Sequence, residues 1–199
     1  MKLKYNAPVV LTFALACAVV MTASSLVGPG LVGALFRAPG RGEGVRLLSL
    51  GALRLVTHVL GHASWSHLLG NFTLILLIGP LLEEKYGSAA LLVMMVATAL
   101  VTGLLNVLLL DTGLYGASGI AFMFILLTSI TNIRAGEVPL SFVLVVLLFM
   151  VKEVFAAFQA NNISEFAHIA GGLCGAFFGF LFHADSADRP APPEPGPRA

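Results

Sequence analysis

Charge is the scarcest property of this 199-residue chain. Only 11% of its residues are Asp, Glu, Lys or Arg, against 58% hydrophobic residues, and the mean hydropathy is +0.95. A soluble domain carries roughly 25% charged residues, so a water-facing surface cannot be built from what is present. An excess of one sign is also lacking. Eleven Lys and Arg against ten Asp and Glu leave a net charge of +1, which excludes a nucleic-acid binder that draws its affinity from phosphate neutralisation. Cysteine is nearly absent. Cys17 and Cys174 stand in apolar runs without a CxxC pattern, so neither a disulfide framework nor a zinc knuckle is expected. What remains is an integral membrane protein of about one domain.

The distribution of the few charges marks out the spans. No ionisable Asp, Glu, Lys or Arg occurs from Tyr5 to Phe36, Leu55 to Leu82, Tyr86 to Leu110, Thr112 to Ile133, or Phe166 to Ala184. A helix crossing about 30 Å of hydrocarbon needs about 20 apolar residues, so each window holds one span. A further window after Val138 is interrupted late by Lys152 and Glu153, which can sit near an interface with the lysine snorkelling. The reading is an all-α protein of six transmembrane helices near residues 7–27, 63–82, 88–110, 116–133, 139–158 and 164–183. These form one membrane domain over 1–183, followed by a Pro-rich disordered tail over 184–199. Lys2 and Lys4 ahead of an apolar run also resemble a signal peptide, but the run is long and no A-x-A site follows it.

Loops 111–115 and 159–163 lack Lys and Arg, so the positive-inside rule predicts cytoplasmic termini. Segment 28–57 opposes that rule with Arg37, Arg41, Arg46 and Arg54. Its Gly and Leu content predicts a first outer loop lying in the membrane interface.

Several polar residues fall where lipid should exclude them, and such residues are functional candidates by default. The second span opens with His58, His62, His67 and Asn71. The spacing of four within His58/His62 and within His67/Asn71 puts each pair on one face where the segment is helical. The five-residue step from His62 to His67 predicts a break. His58 is expected at the headgroups, whereas Asn71 lies about 12 Å below Ala63. The fourth span opens with Gly116-Ala117-Ser118-Gly119, and the sixth with Ser164-Glu165-Phe166-Ala167-His168, followed by glycines at 171, 175 and 179. Glycines four apart let another helix approach closely. Even-numbered spans run in the same direction, so Asn71, Ser118 and His168 share a depth beneath one face. A serine, a histidine and nearby donors at one depth point to nucleophilic catalysis, in which the base takes the hydroxyl proton and donors stabilise the oxyanion.

At this point the chain resembles the rhomboid family of intramembrane serine proteases. The resemblance runs from His58 to Gly179 and rests on His62-x4-His67-x3-Asn71, Glu83-x3-Gly87, Gly116-x-Ser118-Gly119, and Ala167-His168 with Gly171 and Gly175. It implies a six-helix rhomboid-like bundle with Ser118 as nucleophile and His168 as general base. It further implies that His67 and Asn71 line the oxyanion hole with the Ser118 amide, and that His62 holds the outer loop to the active site. The family uses a dyad, so Glu165 is assigned to capping its helix. Two positions depart from the pattern. Leu53-Arg54 stands where many rhomboids carry Trp-Arg, and Phe122 replaces a tyrosine that often stacks on the catalytic histidine.

The resemblance implies no cofactor and no metal. It also implies a transmembrane protein as substrate, with bacterial inner membrane as the location, the termini cytoplasmic and the site open to the outer side. Three other readings were weighed. One is a metal-dependent hydrolase using His58, His62 and His67. Another is an inactive rhomboid-like chaperone or binding protein. The third is a small-solute transporter, for which no internal repeat is found.

Overall fold

The computed structural model describes residues 4–28, 30–43, 50–132 and 165–187, together with residues 140, 143, 144, 147, 148 and 151. Its helices are α1 (Pro8–Val27), α2 (Gly30–Leu35), α3 (Leu50–Thr57), α4 (Trp65–Tyr86), α5 (Ser88–Leu109), α6 (Ser118–Asn132) and α7 (Glu165–Ala187). A 3-10 turn, His58–Leu60, follows α3. Among the described residues no strand is present, only an isolated antiparallel bridge between Ala38 and Leu114. By length and composition α1, α4 and α5 can each cross a membrane, and α6 and α7 contain the shorter apolar segments Ser118–Ser129 and Phe166–Phe182. The protein is a helical membrane bundle.

Most of the expected span at 139–158, with Lys152 and Glu153, lies outside the described residues, as do residues 188–199 of the expected tail. Helix α7 runs to Ala187, past the point where the tail was expected to start. Segment 28–57 contributes two short helices, α2 and α3.

Helix α6 occupies the centre. Ile120, Ala121, Phe122, Met123, Phe124 and Ile125 are all buried, and a helix covered on every side belongs inside a bundle. Its neighbours are α4, α5 and α7. The approach of α7 is backbone to backbone: a Cβ at Gly171 would collide with the Gly119 carbonyl, and one at Gly175 with the Met123 carbonyl. The same device joins α3 to α5, where a Cβ at Gly103 would collide with the Leu55 carbonyl.

At the far end of the bundle, the buried Glu83 carboxylate accepts from the Val9 and Val10 amides at 2.9 and 3.0 Å. It also accepts from the Ser88 hydroxyl at 2.7 Å. One side chain therefore ties the free amides of the α1 N-terminus to the α4–α5 turn.

Gly175→Val should lower the unfolding midpoint in detergent. Overpacking of this kind costs about 1–3 kcal/mol, and here a main-chain carbonyl, not a mobile side chain, must move. Gly172→Ala meets only Leu126 at 3.6 Å and should be near neutral. An unchanged midpoint in Gly175→Val would mean that α6 and α7 are not in this register.

Candidate active site

The site is built where α4, α6 and α7 begin. Helix α4 starts at Trp65 because Ser64 is its N-cap, with extended backbone and a hydroxyl that accepts the His67 amide at 3.1 Å. Such a cap is worth about 1 kcal/mol. This is the break anticipated between His62 and His67. It sets His67 and, one turn on, Asn71 on the inward face.

Both side chains face Gly116. This glycine has φ +129°, a conformation that favours glycine. A Cβ there would lie 2.8 Å from His67 Cε1, 3.0 Å from its Nε2 and 3.9 Å from Asn71 Nδ2. The missing side chain is thus what admits the imidazole and the amide to the backbone just ahead of Ser118. Asn71 is buried, and its Nδ2 has no acceptor among the described residues.

His62 is buried on the other side of this loop. Its Nε2 accepts the Ala117 amide at 3.3 Å, and its ring meets His67 edge-on at 5.1 Å. Burial, with His67 second, pushes its pKa down to about 4. The ring is therefore neutral at pH 7, with the proton on Nδ1 and the Nε2 lone pair free to accept.

Ser118 is the first residue of α6 and is half-buried. Phe122 follows one turn later on the same face, and the His168 ring stacks on it at 4.6 Å with only 9° between the planes. Phe122 therefore retains the ring contact that the resemblance led us to seek. The Ala167 carbonyl comes within 3.4 Å of a Cβ built at Gly119, which sets the start of α7 level with the start of α6. Glu165 is the first residue of α7.

His58 is 1% exposed, enclosed by protein. Its Nδ1 lies 3.1 Å from the Leu55 carbonyl, which can only accept, so the proton is on Nδ1; Nε2 lies 3.3 Å from the Thr102 hydroxyl, which also reaches the Thr98 and Ala99 carbonyls at 2.9 and 3.0 Å. Its own carbonyl takes the Gly116 amide at 3.0 Å. His58 and His62 do not share a helix face, because the 3-10 turn and the extended Gly61 intervene. The zinc alternative needs free imidazole nitrogens converging from His58, His62 and His67. Both nitrogens of His58 and one of His62 are already engaged, and no metal-holding group of three His, Cys, Asp or Glu occurs among the described residues.

Further residues hold the loop before Ser118 without having been singled out in the sequence. Asn106 donates its amide to the Pro39 and Thr112 carbonyls at 3.1 and 2.9 Å. The Ala38 and Leu114 backbones exchange bonds of 2.8 and 3.1 Å, and Arg41 makes a bidentate pair with Asp111 at 3.0 Å. One signal was available: Thr98, Thr102 and Asn106 recur every fourth residue in an otherwise apolar window, and all three are buried. Beside His62 a polar cavity of about 460 Å³ is bounded by Ser24, Ser25, Arg37 and Tyr115.

Against this geometry, the family model of the Rhomboid domain matches residues 50–185. The chain belongs to the rhomboid family. Its helical bundle is accordingly of the rhomboid type. It is 24% identical over 131 residues to "Rhomboid protease GlpG" of Haemophilus influenzae, an alignment that covers 64% of this chain and 68% of that protein. It is 31% identical over 130 residues to "Putative rhomboid protease YdcA" of Bacillus subtilis, covering 62% of this chain and 63% of that one. The chain thus spans about two thirds of the length of these rhomboid relatives.

Gly116→Ala should fold poorly or lose the site, because φ +129° strains any other residue and the methyl group would strike His67. His58→Ala should act chiefly on stability, since it removes a buried ring with two partners and leaves Thr102 short of one; a loss of about 2–4 kcal/mol is expected. Denaturation in detergent measures both. A wild-type midpoint for His58→Ala would contradict its burial.

Proposed function

We propose that this rhomboid is a serine endopeptidase that cuts a peptide bond in or near a transmembrane helix of a membrane-protein substrate. The observation that carries the reading is the pair of side chains packed against Gly116. His67 and the unpartnered Asn71 amide face the backbone immediately before Ser118, while the His168 ring is stacked on the next turn of the same helix. Both relatives are named rhomboid proteases, which supports the same chemistry.

In this reading Ser118 Oγ attacks the substrate carbonyl carbon as its proton passes to His168. The carbonyl π electrons move onto oxygen, and His67, Asn71 and the Ser118 amide stabilise that oxyanion. Collapse of the intermediate breaks the C–N bond, and His168 returns its proton to the leaving amine. Water then repeats the sequence on the acyl-enzyme, releasing the acid and restoring Ser118. His62 works through the Ala117 amide, holding the loop that carries the nucleophile. The polar cavity beside His62 offers water a route from the outer side. Substrate helices that unwind at Gly or Pro are favoured, because an intact helix shields its peptide bonds. The termini are cytoplasmic and the site opens outward, in a bacterial inner membrane.

The test is labelling by a fluorophosphonate probe together with cleavage of a transmembrane substrate in detergent. Ser118→Ala and His168→Ala should each abolish both, and the double variant should be no worse than either single one. Asn71→Ala and His67→Ala should reduce cleavage about 100-fold or more, each removing one oxyanion donor. Chelators should leave activity intact. Cleavage by a folded Ser118→Ala variant would sink the serine mechanism, and a folded wild type that neither labels nor cuts would be an inactive member of the family.

A further inference from the structure

A groove of about 680 Å³ runs between α1 and α4 on the bilayer side, away from the serine site. We propose that it binds an anionic phospholipid, with an acyl chain laid between the two helices and the phosphate held at Lys4.

The walls are made by helical spacing. Leu11, Ala14, Leu15 and Ala18 form one side, a single face of α1 on which the two alanines leave room between the leucines. Leu69 and Leu76 form the other side from α4. Leu15 and Leu69 are 59% and 62% exposed, so among the described residues nothing covers the groove.

The ends identify the occupant. Lys4 and Tyr5 line one end and Trp65 the other, the arrangement of cation and aromatic rings found at headgroup level. Lys4 has no carboxylate partner among the described residues. Lys2 precedes it in sequence, and Lys85 ends α4 on the same side of the bundle. Among the described residues of α1 and α4, the carboxylates there are Glu83, which is turned inward onto Val9 and Val10, and the exposed Glu84. The end is therefore cationic and suited to phosphate.

Size separates a lipid from a helix. A helix about 11 Å wide fills about 500 Å³ per turn, and the run from Tyr5 to Ala18 is about 20 Å of rise. A helix sunk along it would need about 2000 Å³. A hydrocarbon chain is slender enough for 680 Å³, and one leaflet supplies about 15 Å of chain.

Trp65 is the only tryptophan, so a reporter can be installed cleanly. Trp65→Phe with Leu15→Trp gives one fluorophore in the groove. Trp65→Phe with Leu173→Trp gives a control on α7, where Leu173 is 67% exposed. Each is placed in phosphatidylcholine–phosphatidylglycerol bilayers in two series, one with only the phosphatidylcholine brominated and one with only the phosphatidylglycerol brominated, and comparing the quenching yields the relative affinity. The Leu15→Trp protein should prefer the anionic lipid about fivefold, the effect of one lysine at a membrane surface. Lys4→Glu in that background should abolish the preference, and Leu173→Trp should have none. Equal quenching at Leu15→Trp, a preference that survives Lys4→Glu, or the same preference at Leu173→Trp would overturn the assignment. Protection of Leu15→Trp from both lipids would mean that a helix covers the groove, and would overturn it equally.

Discussion

Close contact between the backbones of α6 and α7 is the constraint on which the rest of the arrangement depends. Lipid tails are as apolar as leucine, so helices in a bilayer gain little from hydrophobic burial and must associate through close packing. Gly171 against the Gly119 carbonyl and Gly175 against the Met123 carbonyl are one helical step apart on both helices. They therefore fix register as well as distance. Sliding α7 by one turn would move His168 by about 5.4 Å, off the Phe122 ring and away from the start of α6. Among the described residues no other contact fixes the level of His168 as directly.

The loop that presents Ser118 raises a different problem. Irregular backbone at membrane depth survives only when protein satisfies its amides and carbonyls. Here the partners come from both sides: the His58 carbonyl takes the Gly116 amide, and His62 takes the Ala117 amide. Asn106 and the Ala38–Leu114 bridge hold the preceding residues to the first outer loop. Arg41–Asp111 adds a bidentate contact that is largely exposed, and such surface pairs contribute about 0–1 kcal/mol. Its significance is geometric. The same pair, with Arg37–Glu43 at 2.7 Å, offsets two of the arginines that set segment 28–57 against the positive-inside rule.

Charge-free windows located the long helices well, because lipid excludes charge along the whole of a span. They failed at the end of α4, where the window closes at Leu82 and the helix continues to Tyr86. Glu83 is charged yet inward-facing, and its amide partners on α1 are more than seventy residues away in sequence. Distance in sequence also hid the role of His58. A spacing of four suggested a shared face with His62, but the 3-10 turn rotates His58 toward Thr102 on another helix. The rhomboid motifs made Gly116, His67 and Asn71 legible as a group, since an αL-prone glycine beside two donors has a direct chemical use. Asn106 was missed because its role consists of carbonyls in two loops, and neither loop announces its conformation in its residues.

Helices α1 and α2 lie outside the matched Rhomboid region, which begins at residue 50, yet α1 is bound to it at both ends. At one end the Glu83 carboxylate accepts from two N-terminal amides of α1, and hydrogen bonds to charged groups contribute about 1.5–3 kcal/mol each. Near the other end Trp65 Nε1 donates to Ser25 Oγ at 3.2 Å. Between them Phe13 meets Phe72 at 5.7 Å, and a Cβ at Gly79 would press on Val10 and Phe124. Two polar fastenings and a tight middle leave α1 little freedom to swing away from α4.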